Sequence, residues 1–159
     1  MQRMKLKGVG VISFLLIASS VIHMNTLIFS RDWYWHNFSY LSPSLLLVRY
    51  LFSWAQRILG LVVAIGILRL KNSFRWLAIA MGCFTVLTLY WKHPYQAFLI
   101  HAQYLDQQLG FIFAQLGHPE ISFAKLTVPA LIMHCVLDII FWGSSIYYLT
   151  RPSVKKHFS

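Results

Sequence analysis

Apolar residues run almost unbroken through four stretches of the chain, at about 8–29, 45–68, 76–91 and 126–149. A helix needs roughly 20 apolar residues to cross a bilayer. The first, second and fourth stretches meet that length. The third is shorter and is bounded by Arg75 and Lys92, with Lys92-His93-Pro94 ending it because proline cannot continue a helix. The first stretch follows a basic segment and holds small residues at Ala18, Ser19 and Ser20, as a signal peptide would. Its apolar character continues through Val21, Ile22, Leu27, Ile28 and Phe29, so it is read as a span.

The intervening segments differ in kind. Residues 30–44, SRDWYWHNFSYLSPS, form a loop crowded with Trp33, Tyr34, Trp35, Phe38 and Tyr40. Trp and Tyr favour the headgroup level, which predicts an interfacial belt there. Residues 69–75, RLKNSFR, form a short basic turn. The 95–123 connection is too long for a plain loop. Within it Phe98, Ala102, Leu105, Leu109, Ile112 and Leu116 recur at helical spacing, with Gln96, Gln103, Asp106 and Gln107 off that stripe. This predicts one or two amphipathic helices lying on the membrane, with Gly110 the candidate break and Gly117 the stop.

The pattern therefore predicts an all-α membrane protein, a single integral membrane domain of four transmembrane helices with an amphipathic interfacial segment between the third and fourth. Composition agrees. The 159 residues are 58% hydrophobic and 11% charged, against roughly 25% charged in a soluble domain. The formal net charge of +10 does not point to nucleic acid. The cations lie in short clusters between apolar spans and make no patch interleaved with polar and aromatic residues. The expected surroundings are the lipid bilayer, with a larger membrane complex or a homo-oligomer as the further partner. Cys83 and Cys135 both fall inside spans and outside any CxxC, which argues against a disulfide framework or redox pair.

Charge also sets orientation. Arg3, Lys5 and Lys7, then Arg69, Lys71 and Arg75, then Arg151, Lys155 and Lys156 fall on one side of a four-span chain. Asp32, Asp106 and Glu120 fall on the other. The positive-inside rule makes the basic side cytoplasmic, with both termini inside, in a plasma (inner) membrane.

Inside the spans, a few polar residues demand an explanation. Asp138 lies near the middle of the fourth, and a carboxylate at that depth is expensive. His134 is one turn before it. Arg57 lies at matching depth in the second span, with Gln56 beside it. The expectation is a buried Arg57–Asp138 ion pair locking the second and fourth helices. Gly60 and Ala64 are a small-xxx-small pair, and Gly82 gives the third span a small face, so these are expected helix-packing positions. His23 and His134, on different helices at similar depth, are the best candidates for a metal or haem, although no HxxxH, HExxH or CxxCH is present. No GxSxG elbow supports nucleophilic hydrolysis.

One local resemblance adds to this. ILGLVVAIGILRLKNSFRWLAIAMG, residues 58–82, resembles the helix–turn–helix hairpin of small bacterial four-span inner-membrane proteins of unknown function. It implies bacterial inner-membrane placement and no activity. The leading functional expectation is a non-enzymatic assembly or interaction subunit without a cofactor. The alternative is a redox- or transport-linked protein using His23, His134, Asp138 and Arg57 around a haem, metal, quinone or proton.

Overall fold

The structure is a computed structural model that describes residues 7–118 and 122–158. Arg3, Lys5 and Glu120 of the charge argument lie outside the described residues. Among the described residues the fold is all-helical, with no strand. Helix α1 is Lys7–Phe29, α2 is Arg31–Asn37, α3 is Pro43–Leu68 and α4 is Asn72–Leu87. A short α5, Leu89–Lys92, leads into α6, Tyr95–Gln115. A 3-10 turn at Phe123–Leu126 enters α7, Thr127–Thr150, and a last turn, α8, is Pro152–Lys155.

Helices α1, α3 and the Phe123–Thr150 segment are each long and apolar enough to cross a membrane. The third expected span is different. Helix α4 has 16 residues, or about 24 Å at 1.5 Å per residue, short of a core of about 30 Å. It passes the same test only together with Leu89–Gln115, from which it is bent by 76°. At the bend the Thr88 hydroxyl donates to the Phe84 carbonyl at 2.7 Å, and Pro94 precedes α6 with an extended backbone. Helix α6 therefore turns nearly perpendicular to α4, as a helix lying across the end of a bundle must.

The long helices run antiparallel to their neighbours. Tyr50, early in α3, donates to the Leu27 carbonyl late in α1. Arg75, at the start of α4, donates to the Leu149 carbonyl at the end of α7. One end of the bundle thus carries Arg69, Lys71, Arg151 and Lys155, and is called the basic end below. The other carries α2 and α6 and is called the aromatic end. Helix α1 packs on α3, α3 on α4 and α4 on α7. The core at the basic end contains Val9, Ile12, Leu16, Val63, Ala64, Ile67, Ala78, Trp142 and Leu149.

Small residues set the close approaches. Gly60 faces Ser20, whose hydroxyl would lie 2.7 Å from an added Cβ. Gly82 sits against Trp142, which a Cβ would meet at 2.7 Å. Ala64 is fully buried. The three expected packing positions are all at helix contacts, as close-packed membrane helices require.

Two connections differ from expectation. The 30–44 loop contains α2, which turns Tyr34 inward to 7% exposure, with its hydroxyl 3.2 Å from that of Ser53. Tyr34 is thus core and not belt. Trp33 and Trp35 stay nearer the surface. Helix α6 runs unbroken through Gly110. It ends at Gly117, whose φ of 83° is the left-handed conformation of a helix stop. The His118 N–H reaches back to the Phe113 carbonyl and the Gly117 N–H to the Ala114 carbonyl, satisfying two terminal carbonyls.

Candidate functional site

Polar residues are buried beside the apolar core while large apolar residues are exposed. Ser13, Ser20, Arg75, Thr85, Thr127 and Ser145 are buried, while Phe14, Ile22, Val48, Leu51, Ile132 and Ile140 are exposed. Contiguous apolar surface of this kind belongs in lipid. The polar groups inside the ring of helices then define the site.

Asp138 is not paired with Arg57, and the expected ion pair is corrected. Lys92 Nζ lies 2.6 Å from Asp138 Oδ2, and His93 Nε2 lies 2.7 Å from the same oxygen. The cause is the bend after α4. A straight third span would carry Lys92 and His93 out to the surface, whereas α5 folds them back over the middle of α7. Lys92 and His93 were legible only as a helix-ending boundary, because sequence periodicity carries no signal for a bend of this angle.

The His93, Phe98 and His134 rings form a cluster, with centroids 5.2–6.0 Å apart. His134 Nδ1 bonds the Ala130 carbonyl at 2.8 Å, and His23 Nδ1 bonds the Ser19 carbonyl at 2.7 Å. A carbonyl accepts only, so each ring carries a proton on Nδ1, and in the neutral tautomer Nε2 is the acceptor.

Two cavities meet at this layer. The inner one, about 260 Å³, is lined by Ser19, Ser20, Gln56, Arg57, Thr85, Lys92 and Asp138 among others. The outer one, about 360 Å³, reaches the aromatic end and is lined by His23, Trp33, Tyr34, Arg49, Trp91, His93 and His134. Gln56, Arg57 and Lys92 line both. Among the described residues no carboxylate lines the outer cavity, although Arg49, Arg57 and Lys92 do.

The buried arginines are held differently. Arg75, 1% exposed, donates to Asn72 Oδ1 at 2.9 Å and to the Leu149 carbonyl at 3.1 Å. Arg49 donates to the Trp91 carbonyl at 2.7 Å and the Lys92 carbonyl at 3.3 Å, and lies 4.2 Å from the Phe38 ring centroid. Both satisfy carbonyls at helix C-termini, where intrahelical donors run out and the dipole is negative. Arg57 donates to no acceptor among the described residues, and Gln56 has no partner there either.

Over the aromatic end, Trp33 Nε1–H donates to His101 Nδ1 at 3.0 Å. Burial holds the His101 imidazole below its ordinary pKa, which keeps that nitrogen free to accept. Among the described residues no group of three or more His, Cys, Asp or Glu is arranged to hold a metal ion. Cys83 is exposed on α4 and Cys135 is half-buried on α7.

No family model matches the chain, and neither the curated proteins nor the solved structures contain a match. What the fold and site define is a helical protein with several helices fit to cross a membrane and an internal cationic cavity.

Proposed function

We propose that this is a multi-pass inner-membrane protein that binds an anion of phosphate-like chemistry in the cavity at Arg57. Its basic end and termini are cytoplasmic, so the aromatic end and the cavity mouth face outward. One observation carries the reading. The Arg57 guanidinium lines both cavities and has no acceptor among the described residues, in a lining richer in cations than carboxylates. A guanidinium without a hydrogen-bonded acceptor in a low-dielectric site is costly even with the Asp138 carboxylate on the same cavity. An anion held by charge-assisted hydrogen bonds offsets that cost. A cavity of about 360 Å³ is also within the range of small-ligand sites, about 300–1,000 Å³.

This reading replaces the assembly lock as the role of Arg57 and leaves locking to Arg49 and Arg75. Asp138 holds Lys92 and His93 in place and sets the site's polarity. The bilayer is the protein's surrounding partner, and the local likeness of residues 58–82 to small bacterial four-span proteins fits that placement.

The test is thermal unfolding of the detergent-purified protein with inorganic phosphate at constant ionic strength. At ten times Kd a ligand adds about 1.4 kcal/mol, or about 4 °C for a chain of this size. The wild type should gain that shift and Arg57→Gln should not. No shift in the wild type would remove the reading. A second reading, a haem between His23 and His134, draws on their free Nε2 atoms at one cavity. A Soret band in the purified protein would favour it, and a colourless protein would dismiss it.

A further inference from the structure

The Arg57 cavity continues into a longer feature. The ring of helices is tight where α1 meets α3 and where α4 meets α7, and loose where α1 meets α7. Along that loose seam Leu15 and Phe141 line both the Arg57 cavity and a groove of about 450 Å³ that runs to the basic end. Val11, Ile12 and Ile140 make the groove apolar, and Ser144 and Tyr147 border it. From Ser19, level with the cavity, to Gly8, at the groove's far end, α1 rises roughly 16 Å at 1.5 Å per residue. That is about half the hydrocarbon core, the depth one acyl chain occupies.

A cationic chamber and an apolar seam of one leaflet's depth, joined end to end, match the two halves of an amphiphile. We propose that the seam holds one acyl chain of an anionic phospholipid whose phosphate sits between Arg57 and Lys92. This rests on the anion-site reading above and names its ligand. The complementarity is of charge and polarity together. Among the described residues Arg57 has no hydrogen-bond acceptor, Lys92 beside it adds a second cation that is shared with Asp138, and the α1–α7 seam opens this cavity toward hydrocarbon. The bound lipid keeps the orientation of the leaflet at the aromatic end, head toward that end and chain toward the basic end, but is drawn inward. Its second chain stays in the surrounding bilayer.

Native mass spectrometry of the protein released from micelles containing equal phosphatidylglycerol and phosphatidylcholine tests this, with inorganic phosphate stabilisation measured in parallel. The wild type should retain phosphatidylglycerol over phosphatidylcholine by about ten-fold, the scale of one charge-assisted hydrogen bond. Arg57→Gln should lose both that preference and the phosphate shift. Val11→Trp and Ser144→Trp fill the seam at positions outside the lining of the Arg57 cavity, so they should lose phosphatidylglycerol yet keep the phosphate shift, which also shows that they fold. Equal retention of the two lipids by the wild type, with the phosphate shift intact, overturns the lipid assignment and leaves the anion site. Seam variants that retain phosphatidylglycerol like the wild type overturn it too. Absence of both phosphatidylglycerol preference and phosphate shift overturns both readings.

Discussion

Arg49, Arg57 and Arg75 put the same side chain in different settings, and the setting decides what each does. Arg75 and Arg49 reach carbonyls at the ends of α7 and α5, where a cation satisfies acceptors the helix cannot. Arg57, mid-helix, has no such carbonyl to reach. Asp138 is served by Lys92 and His93 through one carboxylate oxygen. A double-mutant cycle should therefore give a coupling of about 1–2 kcal/mol between Asp138→Asn and Lys92→Gln. The coupling between Asp138→Asn and Arg57→Gln should be markedly smaller, both measured by urea unfolding in micelles. At this scale the sequence made the expense of Asp138 legible, because a carboxylate in an apolar run stands out. It did not make the partner legible. Depth counted along straight helices pairs residues of equal index, and the true partners arrive through a bend.

That bend belongs to the scale of elements. The unit α4–α5–α6 changes direction by 76°, which sets Lys92 and His93 over α7 and lays α6 across the aromatic end. Helix α6 is tied to the entry of α7 by Asp106. Its carboxylate accepts from the Ser122 hydroxyl at 2.9 Å and from the N–H groups of Phe123 and Ala124 at 2.5 and 3.1 Å. Desolvation alone would raise the Asp106 pKa, but these hydrogen bonds outweigh it and hold the carboxyl below its ordinary value. A carboxyl whose pKa is depressed on folding stabilises the fold above its unfolded pKa, and that contribution fades as pH falls through the folded value. Protection of the Phe123 and Ala124 amides from hydrogen exchange should accordingly hold at neutral pH and fall only below the usual carboxylate range. Asp106→Ala should abolish it at every pH. Helices α1, α3 and α7 were legible in the sequence to within two residues, since apolar runs of this length have few alternatives, whereas α4 starts and ends four residues before the expected 76–91 span. Helix α2 was not, because seven residues dense in aromatics carry no helical period, and Gly110 proved to be tolerated inside α6.

At the scale of the whole molecule, an apolar core shares the interior with a set of polar residues, and the surface carries many large apolar side chains. Phe14, Leu51, Ile132 and Ile140 are exposed, as suits a helix bundle fit to cross a membrane, while Ser20, Thr85 and Ser145 are buried. The abundance of apolar surface was readable from a composition that is 58% hydrophobic and 11% charged. Cavities were beyond such reading. They arise where bulky and small residues of different helices fail to meet, as at the α1–α7 seam.

The central claim is that Arg57 serves a ligand while Arg49 and Arg75 serve the fold. Thermal unfolding of Arg49→Gln, Arg57→Gln and Arg75→Gln in the same detergent, with no phosphate or anionic lipid added, separates these roles most directly. Loss of a charged hydrogen bond costs about 1.5–3 kcal/mol, or roughly 3–10 °C here, so Arg49→Gln and Arg75→Gln should unfold earlier by that much. Arg57→Gln should unfold at the wild-type temperature or above it, because it removes a partly buried cation that makes no hydrogen bond among the described residues. An Arg57→Gln protein that unfolds as early as Arg75→Gln would contradict the account.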